Sequence, residues 1–290
     1  MQPDAVRDVF RPRSVCDTAV MTETLLLLIF LVLPILAYVS AGLLLALRAV
    51  RGDMPGRDLA LPLALVAIVL HAGWHLHGWH VTGGPDMHFF AALSLVALGM
   101  AALTAAMTFM RRLQALGIVV YPLAALMLAF AVGYGHVRAE PLDWRLQLHA
   151  WLALLAFATL AIAALLAVLL WLQERALQRR ELGGWLRALP PLVQLETLLF
   201  RTIAAGFALL TLALITGVVF VDNLMEQHLV QKTVLSVLSW LVFGWLLIGR
   251  WRYGWRGPRA VRLTLIAMGL LLLAFFGSKF VLELILHRTN

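Results

Sequence analysis

Charge is scarce in this chain. Only 13% of its 290 residues are Asp, Glu, Lys or Arg, about half the share of an ordinary soluble domain. That scarcity excludes a water-soluble enzyme, and it excludes a disordered chain, which needs charge to stay solvated. Cysteine is almost missing. Cys16 stands alone, so neither a disulfide scaffold nor a CxxC redox pair can form within the chain. There is no P-loop, no GxSxG elbow and no HExxH pair, so nothing supports autonomous ATP-driven or hydrolytic chemistry. Runs of about ten residues with alternating polarity are also lacking, which argues against a membrane β-barrel.

What the sequence does have is apolar residues, 62% of the total, with mean hydropathy +0.91. They fall in eight blocks, at roughly 25–47, 59–78, 89–110, 114–133, 147–172, 198–220, 232–249 and 262–286. At 1.5 Å per residue each block can cross about 30 Å of hydrocarbon as a helix. Helices follow because lipid offers the backbone no hydrogen-bond partner. The expected fold is an all-α, polytopic bundle of about eight transmembrane helices. Residues 21–290 form a single membrane domain.

The excess of basic residues gives a net charge of +8. It does not indicate nucleic acid, because these residues sit in short loops, where they set orientation. Arg48, Arg51 and Arg57 follow the first block, and Arg111 and Arg112 the third. Arg175, Arg179, Arg180 and Arg187 follow the fifth. Arg250, Arg252, Arg256, Arg259 and Arg262 follow the seventh. These fourteen face only Arg138, Arg145, Lys232 and Arg288 on the other side. The arginine-rich side is predicted to be cytoplasmic, with both termini outside. Residues 1–20 balance Arg7, Arg11 and Arg13 against Asp4, Asp8 and Asp17 and contain no apolar run. They read either as a disordered external tail or as a mis-annotated start preceding Met21.

Nine histidines complete the pattern: His71, His75, His77, His80, His88, His136, His149, His228 and His287. In this topology all lie in the outer half or outside, opposite the arginines. Histidine inside a membrane faces the bundle and needs a partner. Neutral imidazole is an iron ligand, and bis-His or His/Met pairs hold haem. His71 and His75 share a helical face. Trp74, Trp79, Trp144 and Trp151 are near enough in the sequence to stack on a flat apolar ring. The bland readings are a polar rim from His77 to His88 and an interfacial tryptophan belt. Zinc is a rival ligand for the cluster, with Asp86 and Asp222 in the outer loops but no thiol. Lys279 and Glu283 form an i, i+4 pair on the last helix, and Glu196 and Arg201 flank the inner start of the sixth block as anchors.

The stretches LQLHAWLALLAFATLAIAALLAVLLWLQE (146–174), LPPLVQLETLLFRTIAAGFALLTLALITGVVF (189–220), QKTVLSVLSWLVFGWLLIGRWRYGWRG (231–257) and FFGSKFVLELIL (275–286) are family-like. Leu199-Phe200-Arg201, Gly206-Phe207, Leu210-Thr211-Leu212 and Gly217 give an order that a generic apolar helix would not need. The chain resembles the cytochrome c assembly (CcsA/HemX-like) membrane proteins over about residues 60–286, and among them the YpjD-like branch. The resemblance implies a multi-pass protein of the bacterial inner membrane that handles haem at its outer face. It matches His149 to the family's external histidine, His71 to its membrane-embedded histidine and His287 to its late external histidine. The ligases of the family carry a tryptophan-rich external motif ending in Trp-Asp-Pro-Lys-Glu-Thr. Here residues 221–233 read VDNLMEQHLVQKT. Only Lys232-Thr233 and the later Trp240 keep that register, and His228 has no counterpart.

Two readings therefore stand. In the first, haem sits in the outer half of the bundle on some of His149, His71, His75 and His228. His149 and His71 are then the candidate iron ligands, and other cytochrome biogenesis proteins the expected partners. In the second, the chain is a non-enzymatic membrane partner or transporter-like protein that keeps the fold without haem. The missing motif argues against a self-sufficient ligase in either case.

Reporter fusions after Arg112 and Arg180 should be active in the cytoplasm; external activity at those points would reverse the orientation. A chain starting at Met21 should insert and behave like the full chain, since nothing apolar ties residues 1–20 down. Clear loss of insertion would show that those residues matter.

Overall fold

The structure is a computed structural model that describes residues 28–51, 59–111, 113–134, 143–180, 189–220 and 227–277. Within these, the regular structure is helical and no strand occurs. A π-helical turn, Leu28–Val32, leads into α1, Leu33–Arg51. Then come α2 (Ala60–Thr82), α3 (Phe89–Arg111), α4 (Gly117–Tyr134), α5 (Trp144–Gln178), α6 (Leu192–Phe220), α7 (Gln227–Tyr253) and α8 (Pro258–Leu272). The last of these runs on through a second π-turn, Leu273–Gly277. All eight are long and apolar enough to cross a membrane. Residues 1–20, the Lys279–Glu283 pair, His136 and His287 lie outside the described residues.

The helices overrun the apolar blocks. α5 has 35 residues, about 52 Å at 1.5 Å per residue, against about 30 Å of hydrocarbon. α6 starts at Leu192 rather than near 198, with Gln194 and Leu195 donating backbone N–H groups to the Pro191 carbonyl. The physical reason is that hydropathy reports the lipid boundary, whereas a helix stops only where its backbone bonding stops. Pro190-Pro191 supplies that stop at the N-terminal side.

The packing forms two quartets. α1 packs on α2 and α4, and α3 packs on the same two; α5 packs on α6 and α8, and α7 packs on those two. Contact between α3 and α5 joins the quartets. Neighbours within the second quartet run antiparallel. Gln173, near the end of α5, donates to the Pro190 carbonyl just before α6. His149, near the start of α5, meets Ala213, well along α6. Without a hydrophobic force between helices in lipid, close approach of small residues drives such packing. The α5–α6 contact shows it. A Cβ on Gly206 would lie 2.6 Å from Leu160 Cδ2 and 2.7 Å from its Cγ. On α2 the buried positions are Ala60, Ala64, Ala67 and His71, a 4-3-4 stripe whose last member is the imidazole.

The arginine-rich end is tied by one acid. Glu196 is buried on α6 and pairs with Arg250 at 2.7 Å and Arg256 at 3.3 Å. Arg250 also donates to the Trp255 carbonyl at 3.2 Å, and its guanidinium sits 4.7 Å from the Phe200 ring centre. This anchors α6 to α7 and to the turn before α8. Arg201, the other residue flanking the inner start of this helix, is exposed.

Gly206→Val should destabilise the α5–α6 contact by about 1–3 kcal/mol, the usual cost of overpacking. Thermal unfolding in detergent should show the loss, and adding Leu160→Ala should recover part of it. No change on the single substitution would mean that the two helices can separate freely at this point.

Two histidine-lined cavities

The ends of the helices that carry the histidines enclose two separate hollows. The first, of about 600 Å³, lies beside α2 and α3 and is lined by His75, His77, Trp74, Trp79, Asp86 and Trp151, among others. The second, of about 460 Å³, is enclosed chiefly by the second quartet and carries His149 and Lys232. The wall between them is α3 with α5. On α5, Trp151 faces the first cavity, while His149, Ala153 and Phe157 face the second. Two residues along a helix turn by about 200°, so His149 and Trp151 point to opposite sides. α3 divides likewise, with Ala91 and Leu95 on one side and Ala92 on the other.

This geometry separates the candidate ligands. His71 and His75 come together, with ring centres 5.4 Å apart. His71 Nε2 lies 2.8 Å and His75 Nε2 3.0 Å from the same Ser94 Oγ. His71 Nδ1 lies 3.4 Å from the Tyr38 hydroxyl. Both nitrogens of His71 are thus engaged, and the ring is fully buried. His149 does not turn towards them. It turns to α6 because Gly217 leaves room there: a Cβ at that position would lie 2.9 Å from His149 Cε1. His149 Nδ1–H donates to the Ala213 carbonyl at 2.9 Å, with Thr216 Oγ1 at 3.3 Å. Donation from Nδ1 fixes the tautomer and leaves the Nε2 lone pair free of any partner among the described residues. A carbonyl on one ring nitrogen is how metal-binding histidines are commonly oriented.

His77, His80 and His88 are rim groups. His77 stacks on Phe30, His80 is exposed at the end of α2, and His88 is held by Asp86 through its ring at 3.1 Å and its backbone N–H at 3.0 Å. His228 falls in the first turn of α7, and its side chain lies outside what the structure describes. Trp144 leaves the aromatic group and packs on Phe220, while Trp79 and Trp151 stack at 6.2 Å. Among the described residues, no three His, Cys, Asp or Glu side chains are grouped to hold a metal ion; Asp222, offered as a zinc donor, lies outside the described residues.

Sequence reasoning missed Ser94, Tyr38 and the seat made by Gly217. Ser94 had a partial signal: a hydroxyl inside an apolar helix bonds either the carbonyl one turn back, as Thr159 and Thr202 do, or a group on another helix. Tyr38 had none beyond its type.

The model of the cytochrome c assembly protein family matches residues 62–286. The chain belongs to the cytochrome c assembly family. Both cavities lie within the matched span. The chain is 31% identical over 265 residues to the inner membrane protein YpjD of Escherichia coli K12, covering 89% of this chain and 99% of that one. It is 37% identical over 143 residues to a 28.8 kDa protein of Azospirillum brasilense, covering 49% of this chain and 53% of that one. It is 23% identical over 241 residues to the cytochrome c biogenesis protein CcsA of Guillardia theta, covering 74% and 78%. No solved structure matches. The family member described here is therefore a multi-pass helical protein of the bacterial inner membrane.

Proposed function

We propose that this chain handles haem for cytochrome c assembly, binding it in the second cavity with His149 as an iron ligand. The observation that carries the reading is the seat of His149. Its Nδ1–H is held by the Ala213 carbonyl, Gly217 makes room for the ring, and Nε2 is left available beside a cavity. The residues fit the group. The cavity is mostly apolar, its size is ordinary for a cofactor site, and among the described residues Lys232 is the one charged member of its lining. That set suits a flat apolar macrocycle bearing carboxylates. When bound, haem supplies one-electron iron chemistry. The chain contributes position: α6 fixes the ligand tautomer, and the apolar wall excludes water. His71 enters this reading only indirectly, because α3 and α5 stand between it and His149. No catalytic residue is assigned.

The second reading, a non-enzymatic partner that keeps the fold without haem, is favoured by one observation. The external motif of the ligases is replaced here by VDNLMEQHLVQKT at 221–233. Binding with no ligase step satisfies both observations.

The test is the visible spectrum and haem content of the purified, reduced protein. His149→Ala should lower haem content at least about tenfold, the scale seen when a metal's ligand sphere is disturbed. Gly217→Val should also lower it, by displacing the ring rather than deleting it. His80→Ala, on the exposed rim, should leave it unchanged. Equal effects of His149→Ala and His80→Ala at matched expression, or a protein that takes up no haem, would overturn the reading.

A further inference from the structure

The first cavity carries a feature that the haem reading does not use. Four side chains run in a hydrogen-bonded line from the core of the first quartet to the cavity wall: Tyr38 on α1, His71 on α2, Ser94 on α3 and His75 on α2. The successive separations are 3.4, 2.8 and 3.0 Å. Tyr38, His71 and Ser94 are fully buried. His75 lines the cavity, and its Nδ1 has no partner among the described residues.

Every member of this line can both donate and accept, so the whole line can point either way. In one setting Tyr38 O–H donates to His71 Nδ1, His71 Nε2–H donates to Ser94, and Ser94 O–H donates to His75 Nε2. His75 then offers Nδ1–H to the cavity. In the other setting each bond reverses, and His75 offers a lone pair. No internal bond is lost in either. A fixed donor such as an arginine could not do this.

We propose that the cavity beside α2 and α3 binds the ring of a quinone-class lipid, with a ring oxygen bonded to His75 at the end of this reversible line. A quinone presents a carbonyl acceptor at the position where its quinol presents a hydroxyl donor, and the two settings match the two forms. Binding alone is proposed, with no electron transfer. The rest of the cavity fits a neutral aromatic lipid. The stacked Trp79 and Trp151, with Trp74, offer flat apolar walls. Leu76 and Val81 line the cavity while 56% and 69% exposed on the outer surface of the bundle, which gives an isoprenoid tail an apolar way out. Charge separates this cavity from the other. Among the described residues its lining holds the Asp86 carboxylate and no Lys or Arg, the reverse of what a ligand with carboxylates requires. The proposal is independent of the haem reading.

The experiment uses the purified full chain in detergent, titrated with decylubiquinone, its reduced quinol and decylbenzene, followed by tryptophan fluorescence. The quinone and the quinol should both quench saturably, and decylbenzene should not. His75→Phe and Ser94→Ala should weaken both forms by about tenfold, the loss expected for one buried hydrogen bond. His75→Gln, which can both donate and accept through its amide, should recover part of the binding. Trp79→Phe with Trp151→Phe should remove most of the quenching, and His149→Ala should leave affinity unchanged. Size-exclusion elution like that of the unsubstituted protein shows that a variant is folded. Non-saturable quenching, equal response to decylbenzene, or a folded His75→Phe protein with unchanged affinity would overturn the proposal. So would haem that binds at His75 and is lost on its substitution.

Discussion

Hydrocarbon gives a polar side chain nothing to bond to, and the rest of this structure follows from that. An imidazole or carboxylate placed between these helices must find its partner on another helix, and each such bond fixes a register. His71 and His75 share Ser94 across the α2–α3 contact. His149 takes the Ala213 carbonyl across α5–α6. Glu196 takes Arg250 and Arg256 at the far end. Three helix pairs are thereby pinned at set heights, while alanine and glycine stripes supply the close approach. Removing one partner would cost more than the bond is worth, because the group left behind stays buried and unbonded.

The ends of the bundle are built differently for the same reason. At the arginine-rich end the chain brings charge inward and neutralises it, and Glu196 sits between two guanidiniums. At the histidine end it keeps charge sparse and leaves space. Hollows survive there because small residues sit where large ones would fill, and because α3 and α5 run side by side as a partition. A helix turns its successive faces by about 100° per residue. One partition helix can therefore serve two cavities with unlike chemistry, Trp151 on one side and His149 on the other.

Much of this was legible in the residues. The eight spans followed from apolar length, and the described histidines sort to one end of the bundle because the helices alternate in direction. The pairing of His71 with His75 followed from a spacing of four. What the residues alone could not supply was azimuth between non-neighbouring helices. Nothing in the order of residues near His149 says whether its ring faces α2 or α6. That is settled by Gly217, 68 positions later, whose missing Cβ leaves room on one side only. Ser94 was hidden for a related reason. A single hydroxyl in an apolar run announces that it has a partner without saying which one. The overrun of α5 and α6 beyond their apolar blocks was hidden because hydropathy and backbone bonding obey different limits.

The split between helices and loop bears on what loss of the external motif means. In the family, the tryptophan-rich motif follows the helix matched by α6, whereas the seat of His149 is made by α5 and α6 themselves. A change confined to 221–233 can therefore alter how a bound group is presented without touching the tautomer or the position of His149. The parts of the second cavity that α7 supplies, Lys232, Thr233 and Ser236, begin at the end of that altered stretch, and Lys232-Thr233 keep the family's register. On the proposed haem reading, retention and presentation would rest on different covalent elements. A chain that keeps the first and replaces the second is what a member that holds its ligand, and leaves delivery to another protein, would look like.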